Sequence, residues 1–283
     1  MKTFILVVAL AWASFADAYI YSVKGLVEAA FAGRELDNPL EIVLRHQIGQ
    51  RSSGQLLREH LYTDGQNVLA SWSIEGSNAS AKGFVTADAY NLMGQKTYKR
   101  ESRLFVSYLT SLDPQKFIEN AVEERFVRRD QWMECKPGYD LKTSPKTWKP
   151  NNYYIRQDDI FLKRMVGEEP AIQVTGTDEG LDKRLLFFDK DLRGLRRIEW
   201  REEGRVTAWN FDHFKKFPVG AYFPRRITLS RGDVDVISSE VVAVKSLKGA
   251  DWDKIKKGYT PATQNISIPS AVEEAFDILL RYR

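Results

Sequence analysis

The stretch "LRRIEWREEGRVTAWNF", residues 195–211, alternates bulky apolar side chains with charged ones on both sides of a Glu-Gly dipeptide. A two-residue turn ending in Gly204 favours a β-hairpin, and its spacing pairs Ile198 with Trp209. Successive side chains of a strand point to opposite faces, so one face of this hairpin carries aromatic bulk and the other carries charge. The stretch therefore predicts a sheet with one apolar face, which another part of the protein must cover.

The rest of the chain extends this pattern. Between residues 154 and 247, short alternating runs are separated by turns, which is typical of an antiparallel sheet. One of these turns, at residues 231–232, predicts a hairpin that pairs Leu229 with Val234. An earlier meander spans residues 40–76, and we expect about ten or eleven strands in total.

Helical patterns are fewer and shorter than strand patterns. Apolar residues recur at helical spacing in residues 22–34, and residues 113–132 begin with an Asp-Pro pair that is typical of a helix start. Residues 270–283 open with a capping box and carry one apolar side. Residues 82–110 are predicted as further strand, ending in "RLFVSYLTSL" at residues 103–112.

The ends of the chain define its organisation. Residues 1–18 combine a positive start, an apolar run and a small-x-small site, which predicts a secretory signal peptide that is cleaved after Ala18. We expect residues 19–283 to form one domain, with residues 135–154 as an irregular excursion and residues 248–283 as a C-terminal helical extension. A single cysteine excludes an internal disulfide bond, and this favours a bacterial periplasmic protein.

The sequence offers little for catalysis or metal binding. Its three histidines fall in separate predicted strands, and Cys135 has no recognisable activating partner. We therefore predict no catalytic residues, no metal site, no cofactor and no enzymatic activity. The net charge of +4 is spread along the chain, and basic residues alternate away from the aromatic ones. This distribution argues against nucleic acid as a partner, and we expect a monomer.

Residues 185–247 resemble the C-terminal half of the LolA/LolB-like superfamily of outer-membrane lipoprotein-sorting and carrier proteins. The resemblance lies in a strand that ends in Asp189, a turn glycine at Gly194, the strand "LRRIEW", and "FP" before the strand "RRITL". It implies a mainly β (α+β) fold. In that fold a strongly curved antiparallel sheet of eleven strands forms an unclosed (half) β-barrel, with short helices covering the concave face.

The same resemblance implies a periplasmic protein that binds acyl chains of lipids or lipoproteins, in outer-membrane lipoprotein sorting or envelope maintenance. It also implies inner- or outer-membrane proteins as partners, and an arginine that latches the covering helices, for which Arg45, Arg58 and Arg103 are candidates. The alternative is a protein-interaction or envelope-sensor module on the same fold.

Alternation alone leaves two interpretations of the aromatic face, an ordinary core or a ligand-binding surface. If it binds a ligand, the candidate residues on the apolar concave face are Trp72, Ile74, Ile198, Trp200, Trp209, Phe211, Ile227 and Leu229.

Overall fold

The structure is a computed structural model in which thirteen strands form one antiparallel sheet. The residues that it describes are 23–32, 34, 38–48, 55–76, 80–86, 89–92, 97–99, 104–114, 116–117, 160–166, 168–175, 185–189, 191, 194–202, 204–232, 234–259, 276–280 and 282.

The strands are β1 Leu40–Ile48, β2 Gln55–Thr63, β3 Val68–Ile74, β4 Ser80–Val85, β5 Ala89–Leu92, β6 Thr97–Lys99, β7 Ile160–Val166, β8 Glu169–Thr175, β9 Leu185–Asp189, β10 Leu195–Glu202, β11 Arg205–Lys216, β12 Tyr222–Arg231 and β13 Val234–Ser246. The helices are α1 Val23–Ala30, α2 Leu104–Thr110 and α3 Gly249–Lys257. Residues 276–280 are also helical.

Two meanders joined at their ends make up the sheet. Its order is β6-β5-β4-β3-β2-β1-β13-β12-β11-β10-β9-β8-β7, so the first and last strands pair in the middle and β6 and β7 lie at opposite edges. The sheet is therefore not closed on itself. The expected mainly β (α+β) fold, an unclosed (half) β-barrel with few short helices, is confirmed. The described residues already contain thirteen strands, so the ten or eleven expected from the sequence and the eleven implied by the resemblance are too few.

The hairpin of β10 and β11 has the predicted register. Ile198 pairs with Trp209, and both side chains are fully buried. Arg196 falls at an irregularity in the pairing of β10 with β9, and its side chain also lies on the buried face. The alternation therefore predicted correctly the buried face for Ile198 and Trp209, whereas Leu195, placed by alternation with the charged side chains, is fully buried next to the irregularity.

The register predicted for the hairpin of β12 and β13 is wrong. Val234 pairs with Arg231, and Leu229 pairs with Ile237 instead of Val234. The turn is one residue later than expected, and the pairing shifts between Leu229 and Ser230. Such a bulge places an extra residue in one strand, and this keeps both Leu229 and Ile237 on the buried face.

The predicted strand at residues 103–112 is also wrong, because Leu104–Thr110 forms helix α2. All seven residues of α2 are buried, including Ser107 and Thr110. A segment buried on every side shows neither helical nor strand periodicity, so local composition misassigns it.

Several expectations fall outside the described residues. These are the signal peptide at residues 1–18, the excursion at residues 135–154 with Cys135, and most of the helix expected at residues 113–132. In the part of the chain that the structure describes, no helix has the length and apolar character needed to cross a membrane.

Gly194 lets the loop before β10 pass close to α2. The Tyr108 hydroxyl accepts a hydrogen bond from the Leu195 N–H at 3.0 Å. A Cβ at position 194 would lie 2.2 Å from Phe214 Cε1 and 2.4 Å from the Tyr108 hydroxyl oxygen. Glycine is required here by close approach to neighbouring side chains.

We expect Gly194→Ala to lower the free energy of unfolding by roughly 1–3 kcal/mol, because the methyl group would displace Tyr108 or Phe214. Urea denaturation measures the loss. Gly249→Ala is the matched control, since a Cβ there meets nothing within 4 Å. Equal stability of the two variants would contradict this account of Gly194.

Candidate ligand-binding face

The eight predicted ligand-binding residues belong to a single apolar cluster. Ile74 is partly buried, and the other seven are at most 5% exposed. They come from β3 on one side of the sheet and from β10, β11 and β12 on the other. We call this surface the concave face.

Helix α2 covers one part of the concave face with aromatic side chains. The ring of Phe105 lies 4.3 Å from that of Trp209, measured between centroids. The ring of Tyr108 meets that of Phe211 edge-on at 4.9 Å. Aromatic pairs at these separations add to the free energy gained by burial, so α2 is packed firmly against the sheet.

The C-terminal residues cover another part of the same face. The Phe276 ring lies 5.8 Å from the Trp72 ring, and the Tyr282 ring lies 6.5 Å from that of Trp200. The indole N–H of Trp209 donates a hydrogen bond to the Tyr282 carbonyl oxygen at 2.8 Å. Helix α2 and residues 276–282 together are called the cover below.

Arg34 connects α2 to the sheet. Its guanidinium donates hydrogen bonds to the Tyr108 carbonyl oxygen at 2.6 Å and to the Tyr222 carbonyl oxygen at 3.1 and 2.8 Å. The same group lies over the rings of Phe31, Tyr108 and Phe223 at 5.0, 4.6 and 4.1 Å. Burial lowers the pKa of Arg34 and raises that of Tyr108. Carbonyl dipoles and aromatic faces therefore stabilise a buried cation.

The arginines proposed as latches from the sequence do not occupy this position. The side chains of Arg45 and Arg58 are 44% and 49% exposed, and both lie near Glu75. Arg103 lies outside the described residues. Sequence reasoning missed Arg34 because its hydrogen-bond partners are backbone carbonyls, which leave no trace in residue type.

We expect Arg34→Met to loosen α2, because the Tyr108 and Tyr222 carbonyl oxygens would lose their donor inside the protein. An unsatisfied buried acceptor costs about 1–3 kcal/mol. Hydrogen exchange followed by mass spectrometry should show faster exchange of the α2 amides. Arg45→Met, an exposed arginine, serves as the control, and unchanged protection of α2 in Arg34→Met would show that the contact does not hold the helix.

A chain of four polar side chains crosses the concave face. The His46 ring contacts Ser239 Oγ through Nδ1 at 2.7 Å and Glu59 Oε2 through Nε2 at 2.9 Å. Glu59 Oε1 accepts a hydrogen bond from the Trp72 indole N–H at 2.9 Å. The residues lie on β13, β1, β2 and β3, and none is more than 2% exposed.

This polar chain is compatible with an apolar face because each of its groups has a partner. A buried carboxylate without donors would cost several kcal/mol, whereas Glu59 interacts with both Trp72 and His46. The sequence contains a signal for this chain of polar side chains. Glu59 stands between Leu57 and Leu61, so alternation places the carboxylate on the inward side of β2.

We expect Glu59→Ala to lower the free energy of unfolding by about 3–5 kcal/mol, as removal of one partner of a buried pair does. Glu59→Gln should cost much less. Its amide can accept from Trp72 and donate to His46 in the other tautomer. Chemical denaturation of both variants separates hydrogen bonding from charge, because a loss as large in Glu59→Gln as in Glu59→Ala would mean that the charge itself is required.

A second buried charge lies beside this face. Arg196, 3% exposed, contacts Asp189 at 3.3 Å and Asp212 at 3.5 Å, and it forms a third ion pair with Glu169. Burial lowers the pKa of Arg196, and the charge of Asp212 opposes that effect. The cluster ties β8, β9, β10 and β11 together, and it places Asp189, one point of the family resemblance, in an ion pair.

Other histidines and acidic residues do not converge. His60 pairs with Glu41 at 2.8 Å, and His213 lies exposed with φ of 54°. Among the described residues, no three His, Cys, Asp or Glu side chains are placed to hold a metal ion.

No protein-family model matches the chain, and no curated protein matches its sequence. Solved structures do match. A LolA superfamily protein from Nitrosomonas europaea has a TM-score of 0.49 at 11% identity, and the match covers 82% of this chain and 96% of that one. A domain described as an outer-membrane lipoprotein-sorting protein domain from Vibrio parahaemolyticus has a TM-score of 0.44 at 11% identity, with 82% and 97% covered.

A DUF1329 family protein from Desulfovibrio piger has a TM-score of 0.42 at 11% identity, with 80% and 94% covered. Matches at this level of identity concern the fold and carry nothing about ligands or partners. A LolA superfamily protein is thus among the solved structures to which this chain is similar.

Proposed function

We propose that this chain is a periplasmic binding or carrier protein that holds acyl chains of lipids or lipoproteins on its concave face, in outer-membrane lipoprotein sorting or envelope maintenance. The observation that carries the proposal is the composition of the cover. A broad apolar face on an unclosed sheet is shielded by short elements, namely the eight-residue helix α1, the seven-residue helix α2 and the helical residues 276–280.

The cover and an acyl chain would compete for the same surface. The rings of Phe105 and Tyr108 pack against Trp209 and Phe211 where a ligand chain would lie. If these two rings are displaced, the concave face stays out of water only when another apolar group takes their place. Each CH₂ group removed from water contributes about 0.8 kcal/mol, so two acyl chains supply a large driving force for the exchange.

Among the described residues, hydrogen bonds tie the cover to the rest of the protein at identifiable atoms. Arg34 fixes the α2 end through the Tyr108 carbonyl oxygen, and Trp209 fixes the C-terminal end through the Tyr282 carbonyl oxygen. Hydrogen bonds of this kind contribute about 0.5–1.5 kcal/mol each after exchange with water. A cover held in this way can be displaced without unfolding the sheet, which is held by its own ladders.

We expect Phe105→Leu to bind an acyl probe with a neutral headgroup more tightly than the unaltered protein. The smaller side chain packs less area on Trp209, so the ligand competes with a weaker cover. The change should be several-fold, since a loss of about 1 kcal/mol alters a binding constant about fivefold. Titration of tryptophan fluorescence measures the affinity, and native mass spectrometry of the purified full chain detects lipid that it already carries.

Trp252→Phe is the matched control for this experiment. Trp252 belongs to a second cluster with Leu69 and Tyr259, which alternation places on the opposite face of the sheet. Its loss should lower stability and leave acyl affinity unchanged. If neither the unaltered protein nor Phe105→Leu binds the probe at micromolar concentrations, the concave face is an ordinary core. The alternative, a protein-interaction or envelope-sensor module, would then be favoured.

A further inference from the structure

A groove with a volume of about 470 Å³ opens at the rim of the sheet, next to α2. Its walls are the turn between β2 and β3, residues 65–67, the first residues of β3, the end of β4, and one side of α2. We call it the rim groove. Small-molecule sites commonly occupy roughly 300–1,000 Å³, so the rim groove is large enough for part of a lipid.

The two sides of α2 differ in chemistry. One side carries Phe105 and Tyr108, which cover the concave face. The other side carries Val106, Ser107 and Thr110, which line the rim groove. At 100° per residue these two sets point in different directions around the helix. A ligand in the rim groove would therefore touch the same helix that closes the concave face.

Apolar walls and hydroxyl groups meet inside the rim groove. Val68 and Val85 pair across β3 and β4, and both side chains pack on the apolar cluster of the concave face. They line the rim groove opposite α2. The hydroxyls of Ser107 and Thr110 on the α2 wall are already hydrogen-bonded within the protein. The wall of Val68 and Val85 therefore suits a hydrocarbon chain, and the polar end of an amphiphile is left to the lysines of the groove.

Two lysines give the rim groove its charge. Lys116 and Lys256 both line it, and no Asp or Glu is among its lining residues. Lys116 donates one hydrogen bond to the Gly65 carbonyl oxygen at 2.6 Å, which leaves two of its ammonium protons for a ligand. Lys256 lies over the Trp252 ring at 5.7 Å. The nearby carboxylate of Asp64 accepts hydrogen bonds from Gln66 and Asn67 in its own turn, and it also interacts electrostatically with Lys256.

We propose that the rim groove binds the phosphate headgroup of an anionic lipid between Lys116 and Lys256, with the start of its acyl chain against Val68 and Val85. The acyl chain would continue from the rim toward the concave face once α2 moves aside. The inference extends the proposed function by naming the headgroup. Movement of the acyl chain onto the concave face rests on the proposed function, whereas binding of the headgroup in the rim groove does not.

The experiment compares lysophosphatidylglycerol, which is anionic, with lysophosphatidylcholine of the same chain length, whose headgroup has no net charge. The unaltered full chain should bind the anionic lipid more tightly. Lys116→Gln/Lys256→Gln should weaken binding of the anionic lipid about five- to tenfold, as expected for the loss of two partly exposed ion pairs. Binding of the choline lipid should be unchanged. The difference should shrink at 0.5 M salt, where the screening length is only a few ångströms.

Lys248→Gln/Lys254→Gln is the matched control, because it removes the same two charges from exposed positions that do not line the groove. Glycerol phosphate, which has the headgroup chemistry without a chain, should not bind measurably. A loss in the control as large as in the groove variant would show that only overall charge matters, and it would overturn the proposal. So would equal affinity for the two lipids.

A photoreactive acyl chain on the anionic lipid locates the site without relying on any variant. We expect label on the peptides that carry Val68 and Val85. Label confined to β11 and β12, with no effect of the lysine variant, would overturn the rim groove and leave the proposed function standing. Label in the groove, together with no response of a neutral acyl probe to Phe105→Leu, would refute the proposed function and leave the groove standing. Failure of both lyso-lipids to bind would overturn the groove proposal.

Discussion

An open sheet that presents Trp72, Trp200 and Trp209 on one side must keep that side out of water, and most other features follow from this requirement. A closed barrel would bury such residues against one another. Here β6 and β7 stay at opposite edges, so the covering side chains must come from outside the sheet. Short segments supply them, from α2 and from residues 276–282. The face is therefore covered by parts that are tied to it at identifiable atoms.

Charged groups within and beside that face determine the register in which its strands pair. A slip of one residue in β2 would turn Glu59 to the outer face and leave the Trp72 indole N–H without its acceptor. Arg196 acts in the same way on the other half of the sheet, through Asp189 and Asp212. Apolar side chains tolerate small shifts against one another, whereas these polar contacts are satisfied in a single register.

The sequence predicts those parts of the structure that depend on local periodicity. The faces of Ile198 and Trp209 follow from alternation, and so does the antiparallel sheet. That the sheet is unclosed was implied by the family resemblance. Helix α2 could not be predicted in this way, because all seven of its residues are buried and none carries a charge that would mark an exposed side. The bulge at Val236, between the pairs of Leu229 with Ile237 and Ser230 with Asp235, was missed because it depends on which residues of β13 must be buried.

The candidate site divides in the same manner. Its apolar residues were predictable because each belongs to an alternating strand. Arg34 was not, because its partners are carbonyl oxygens that any residue type supplies. The chain of polar side chains from Ser239 to Trp72 was missed because it joins residues that are far apart in sequence. The inward position of Glu59 does indicate a buried carboxylate that needs a partner.

The pairing of β1 with β13 is the seam that joins the two halves of the sheet, and it affects when the protein can fold. Leu40 pairs with Ser246, so the two halves of the sheet meet only when nearly the whole chain is available. Contacts between residues so distant in sequence slow folding, because a long loop must close before they form. A chain with such a seam remains incomplete while it is being synthesised or passed through a membrane pore, and it can finish folding only after its last strand has emerged.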